Sequence, residues 1–124
     1  MLGKPWLLAN MNLGPWLEKA CYNLKLNSND MLTRDVRKVC EYIHKFVSES
    51  NLAYTKTYLA ASFWITILLV KNNNLSQKAI SEACGCTPQA TRITLTSLLP
   101  ALKVTKEDLK GMTIEEFIGG IRYG

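Results

Sequence analysis

The sequence has a single histidine, His44, and four cysteines, Cys21, Cys40, Cys84 and Cys86, among its 124 residues. That is too sparse a set for a fold built on disulfides. A tetrahedral zinc needs four ligands, and only Cys84 and Cys86 are closely spaced, so no metal and no cofactor is expected. No glycine-rich phosphate loop, nucleophile elbow or paired-carboxylate motif occurs, which argues against an enzyme. Glu115-Glu116 reads as the charged first turn of a helix. The one long apolar run, Tyr58 to Val70, spans 13 residues, short of the roughly 18–20 that a membrane helix requires; no membrane partner is expected. No secretory signal is recognised at the start, so the expected setting is intracellular and reducing, cytoplasmic or nucleoid-associated. In that setting the sequon Asn74-Leu75-Ser76 carries no weight. Low-complexity tracts are missing, and no strand-length alternation competes with helical periodicity.

What is present suits one helical domain. Hydrophobic residues make up 48% of the chain, enough for a real core at this length. The net charge is +5 and is unevenly placed. Between residues 51 and 106 the positives are Lys56, Lys71, Lys78, Arg92, Lys103 and Lys106, against Glu82 alone, so this segment holds the whole excess. Such a bias fits a nucleic-acid partner, and fits equally a soluble surface that happens to be basic.

Periodicity and capping signals divide the chain. Residues 1–12 read as an N-terminal arm that packs Trp6. Pro15 opens a helix carrying Trp16, Leu17, Ala20, Cys21 and Leu24 at helical spacing. Asn27-Ser28-Asn29 supplies turn and cap chemistry before the next helix. There Leu32, Val36, Val39, Cys40, Ile43, Phe46 and Val47 make one apolar stripe, with His44 at its edge as a structural or surface residue. Thr55 to Val70 is apolar all round, Trp64 included, as befits a central helix; Lys71 and the asparagines after it stop it. Ser76 caps a helix running to about Cys84, with Ala79, Ile80 and Ala83 as its inner face. Thr87 caps another, with Pro88 at its first position. Thr91, Leu95, Leu98 and Leu102 form its stripe, while Gln89, Arg92 and Thr96 fall opposite. Pro100 predicts that this helix stops or kinks at Leu99. Two capping boxes, Thr105-x-x-Asp108 and Thr113-x-x-Glu116, start short helices in a C-terminal extension over 103–124, the second with Phe117 and Ile118 to dock.

Cys84-Gly85-Cys86 admits two readings. One is a metal or redox site. The other is a turn, with Gly85 left-handed at a helix end and the cysteines as small apolar residues on either side. The second fits its position between two helices. About eight residues, a glycine turn and about twelve more is helix-turn-helix spacing, over residues 76–99, a geometry that places a second helix in the major groove.

The stretch Ser76-Gln77-Lys78, Ile80, Glu82, Gly85-x-Thr87, Thr91-Arg92 and Leu98 resembles the last two helices of the cyclin-like repeat of transcription factor IIB, and more closely its archaeal homologue, transcription factor B. Leu24-Lys25-Leu26 stands where the family has an L-G-L-type segment. Leu59-Ala60-Ala61-Ser62-Phe63-Trp64 stands at its alanine- and aromatic-rich third helix. The resemblance covers about residues 13–102. It implies a five-helix cyclin-like box whose last two helices form a helix-turn-helix, followed by short C-terminal helices. It further implies a DNA-binding, transcription-modulating protein of archaeal or archaeal-viral kind. Double-stranded DNA is the implied partner, with the TATA-binding protein or other transcription machinery, or a second copy of the chain, beside it. Carried over position by position, Ser76, Gln77 and Lys78 start the supporting helix, where phosphate contacts are made. Thr87, Gln89, Ala90 and Arg92, with Thr96 on the same outer side, belong to the recognition helix, 87–99. Arg92 is the leading candidate, since arginine grips guanine or phosphate bidentately.

Several features depart from the family. Neither a zinc ribbon nor a second repeat is matched. Thr94 replaces a second arginine and Leu95 a tyrosine, which implies weaker phosphate anchoring and a shallower salt dependence. A cyclin-box module that binds protein rather than DNA is the alternative these losses leave open.

Overall fold

Seven α-helices form among the residues that the computed structural model describes, 13–27, 30–71 and 74–119, and no strand accompanies them. In chain order they are α1 (Leu13–Asn23), α2 (Met31–Glu49), α3 (Lys56–Val70), α4 (Gln77–Ala83), α5 (Pro88–Leu102), α6 (Lys106–Lys110) and α7 (Ile114–Gly119). The expected all-α class is therefore observed. The expected arm with Trp6 lies outside the described residues. None of these helices is long and apolar enough to cross a membrane.

The apolar run becomes the axis of the fold. Helix α3 packs against α2, α4, α5, α6 and α7, and Phe63, Ile65, Ala60 and Ala61 on it are fully buried. Ser62 and Thr66 lie on its buried sides, so the helix's own carbonyls satisfy them. Thr66 donates to the Ser62 carbonyl at 2.9 Å, and Ser62 donates to the Tyr58 carbonyl at 2.7 Å. The buried Tyr54 hydroxyl lies 2.9 Å from Ser62 Oγ, which can accept from it. The Tyr54 ring also meets His44, with centroids 5.1 Å apart. This packing pushes His44 below the ordinary histidine range, because burial disfavours its charged form. Its Nε2 is buried without a hydrogen-bond partner among the described residues.

Both expected capping boxes close. Thr105 and Asp108 exchange bonds of 3.0 and 3.1 Å, and Thr113 and Glu116 bonds of 2.9 and 3.1 Å. Helix α7 then seats the buried Phe117 edge-on against Tyr42 of α2, at 5.2 Å. The start of α2 differs from expectation. Asp30 is its N-cap residue, yet the Asp30 carboxylate accepts from the Asn27 N–H at 3.0 Å, bracing the preceding turn instead of the helix.

Helix α5 also departs from expectation. It does not stop at Leu99 but runs through Pro100 to Leu102. Pro100 is exposed and lies in the last turn. The one bond it forfeits is to the carbonyl of exposed Thr96, which water can serve. Continuing the helix places Leu102 and Val104 in the core, each 6% exposed.

Four helix ends share one device. After α1, α2, α4 and α5 the residues Lys25, Asn51, Gly85 and Lys103 take left-handed backbone, with φ of 61°, 63°, 84° and 63°. In each case the next N–H reaches back five residues, as Leu26 does to Cys21 at 2.8 Å and Val104 to Leu99 at 3.1 Å. This is the Schellman arrangement, and glycine is its usual residue. Lys103→Gly, at an exposed site, should therefore stabilise the fold by about 0.5–1 kcal/mol in urea unfolding.

Candidate functional site

Helices α4 and α5 and the turn between them are set by four local signals. Ser76 Oγ accepts from the Ala79 N–H at 3.0 Å and starts α4. Gly85 ends it, with the Gly85 N–H on the Glu82 carbonyl at 3.1 Å and the Cys86 N–H on Ser81 at 3.0 Å. Thr87 Oγ1 then accepts from the Ala90 N–H at 3.1 Å, and Pro88 takes the first position of α5. Cys84-Gly85-Cys86 is thus the turn expected of it. Cys84 is buried, and burial pushes its thiol up to about 12. Burial likewise raises Cys40 and Cys21. These thiols stay protonated at neutral pH and are poor nucleophiles. Among the described residues no group of three or more His, Cys, Asp or Glu could hold a metal ion.

The inner face of α4 is not the expected Ala79, Ile80 and Ala83. Ile80 is buried, but its neighbours inside are Ser81 and Cys84, while Ala79 and Ala83 are half-buried. Ser81 can go inside because Thr91 of α5 lies opposite, with Oγ to Oγ1 2.7 Å. Thr91 in turn reaches the Thr87 carbonyl at 3.2 Å. One chain of hydroxyls therefore fixes α4 on the first turns of α5. Ser81→Ala leaves Thr91 its bond to Thr87 and should cost about 1 kcal/mol. Thr91→Val strands the Ser81 hydroxyl and should cost about 2 kcal/mol. In a double-mutant cycle by urea unfolding, the pair should cost less than the sum of the singles.

With Thr91, Leu95, Leu98 and Leu102 turned inward, α5 presents Gln89, Arg92 and Thr96 to solvent, all exposed as expected. Ala90 is half-buried beside them, and Thr87 is exposed. At the head of α4, Ser76 and Lys78 are exposed and Gln77 is half-buried. Ser76 and Thr87 serve first as caps. The Arg92 guanidinium has no bonded partner among the described residues. The two family departures lie off this outer face, since Thr94 is half-buried and Leu95 buried.

Two features escape sequence reasoning. Ile93, next to Arg92, is 61% exposed. It lies opposite the stripe of Thr91, Leu95, Leu98 and Leu102, so the period of α5 turns it outward, but a lone isoleucine there belongs to no motif that marks it. The second is a cleft of about 340 Å³ beside the Gly85 turn, lined by Trp16, Lys19, Asn23, Lys56 and Glu82 among others. Asn23 ties α1 to this place, its Nδ2 donating to the Ala83 carbonyl at 3.0 Å. Lys19 and Lys56 come from α1 and α3, far apart in sequence, so only the fold brings them together. A second groove, of about 760 Å³, runs along α2 beside Ile118, with Tyr42 and Phe46 among alternating charges.

No family model, no curated protein and no solved structure matches this chain.

Proposed function

We propose that the chain is a DNA-binding protein, similar to a single cyclin-like box of transcription factor B, that modulates transcription. Helices α4 and α5 act as a helix-turn-helix: α5 enters the major groove and α4 crosses the backbone, with Lys78 toward phosphate. The observation that carries this reading is the outer face of α5. It offers Gln89 and Arg92 with donors uncommitted among the described residues, on a helix whose other side is buried and braced by Ser81. Lys25 adds support, because it adopts left-handed backbone, φ 61°, at the position where the family's L-G-L segment has its glycine. The basic segment over residues 51–106 supplies the attraction for a polyanion. The TATA-binding protein is the machinery such a box would dock on.

A second reading is a module that binds protein alone. The exposed Ile93 and the groove along α2 favour it. The deciding measurement is a gel shift on random duplex DNA over a series of salt concentrations. The DNA reading expects retention at low salt, with log affinity falling linearly in log salt by about 0.9 per phosphate neutralised. No retention at low salt, together with stable capture of a transcription protein, would establish the second.

A further inference from the structure

Gln89, Arg92, Ile93, Thr96 and Pro100 are all exposed and fall within an arc of about 100° at 100° per residue. Within this strip the hydroxyl of Thr96 donates to the Arg92 carbonyl at 2.9 Å. On its flank, Ser97 donates to the Ile93 carbonyl at 3.3 Å. Both protons are turned back into the helix. The side-chain donors left facing outward are the Gln89 amide and the Arg92 guanidinium. Beside them stands one large apolar side chain, Ile93, which is 61% exposed. The other exposed large apolar residues among those described, Tyr22, Met31 and Leu52, belong to α1, to the start of α2 and to the loop after it.

In the major groove, a guanine edge suits arginine, an adenine edge suits glutamine, and the one apolar feature is the 5-methyl group of thymine. Resting on the DNA-binding reading, we propose that Ile93 is a specificity-determining residue that packs on a thymine methyl next to the guanine held by Arg92. Ile93 and Arg92 are consecutive, separated by about 1.5 Å along the helix axis. Base pairs rise by about 3.4 Å, so the thymine lies within one or two pairs of that guanine. Gln89, one turn before Ile93, meets an adjoining adenine. The preferred duplex is therefore a mixed G, A and T element, not a run of guanines.

The test uses the full chain and a duplex selected from a random pool. Each thymine of the selected site is replaced in turn by deoxyuridine, which lacks only the methyl group. One replacement should weaken wild-type binding about fourfold, the worth of one buried methyl group. The same replacement should leave the affinity of Ile93→Ala unchanged, while Arg92→Ala should bind both duplexes less tightly and still prefer thymine. The thermal unfolding of Ile93→Ala should match that of wild type, because the side chain is exposed. A selected site in which no thymine responds, or in which Ile93→Ala loses as much as wild type, overturns the role of Ile93. A wild-type chain that retains no duplex at low salt instead removes the DNA-binding reading, and the role of Ile93 with it.

Discussion

Phe63→Ala should lower the free energy of unfolding by about 3–5 kcal/mol, measured by urea denaturation at neutral pH. Phe63 is fully buried on α3, the helix that packs against five others. Removing the ring forfeits its transfer energy and leaves a cavity that the surrounding helices can close only in part. A loss of that size is a large share of the ~5–15 kcal/mol that holds a typical domain together. The melting temperature should fall by more than ~10 °C. Neighbouring Trp64 is the control. It is only half-buried, so Trp64→Ala should cost clearly less although the side chain is larger. Equal losses at the two positions would mean that α3 is not oriented as described.

Arg92→Ala should weaken duplex binding by about 1–3 kcal/mol, roughly 5- to 150-fold. Its melting curve should match wild type, since Arg92 is exposed and makes no bond among the described residues. Arg92→Lys separates two uses of the charge. A lysine can satisfy a phosphate as a point charge, but it does not reproduce the flat two-pronged contact with guanine O6 and N7. Full recovery in Arg92→Lys therefore indicates phosphate anchoring; partial recovery with relaxed sequence preference indicates guanine reading. Unchanged affinity in Arg92→Ala would show that α5 does not present this face to DNA.

Signals confined to one turn of chain were legible in the sequence. Ser76, Thr87-Pro88, Gly85 and the two capping boxes act through neighbours at most five residues away, so residue type alone announces them. The stripe of Thr91, Leu95, Leu98 and Leu102 was readable for a similar reason, since period and burial agree along α5. Features whose partner lies elsewhere in the chain were not. Ser81 is inside only because Thr91, ten residues on, receives its hydroxyl. Lys19 and Lys56 share a cleft only because α1 and α3 meet beside the Gly85 turn. Pro100 carries a local penalty that residue type announces, whereas the burial of Leu102 and Val104 beyond it depends on partners elsewhere in the chain. Lys103 was silent for another reason: left-handed backbone is ordinarily announced by glycine, and here lysine bears the strain. The outer face of α5 was visible as Gln89, Arg92 and Thr96; Ile93 shares that side by the same period, but nothing in its residue type marks it as functional.

The all-round apolar character of α3 has a consequence for the chain before it is folded. From residue 57 to residue 70 there is neither a charge nor a proline, and the stretch is rich in aromatic and β-branched side chains. In an unfolded chain that composition favours strand pairing between molecules and the growth of insoluble aggregates. During synthesis α2 emerges first and can shield one side, but the helices that cover the rest are made later. Lys56 and Lys71 bracket the segment. In the folded protein they mark the two ends of a helix. In the nascent chain they are gatekeepers, placing a positive charge at each end of the segment where an ordered stack of strands would otherwise begin.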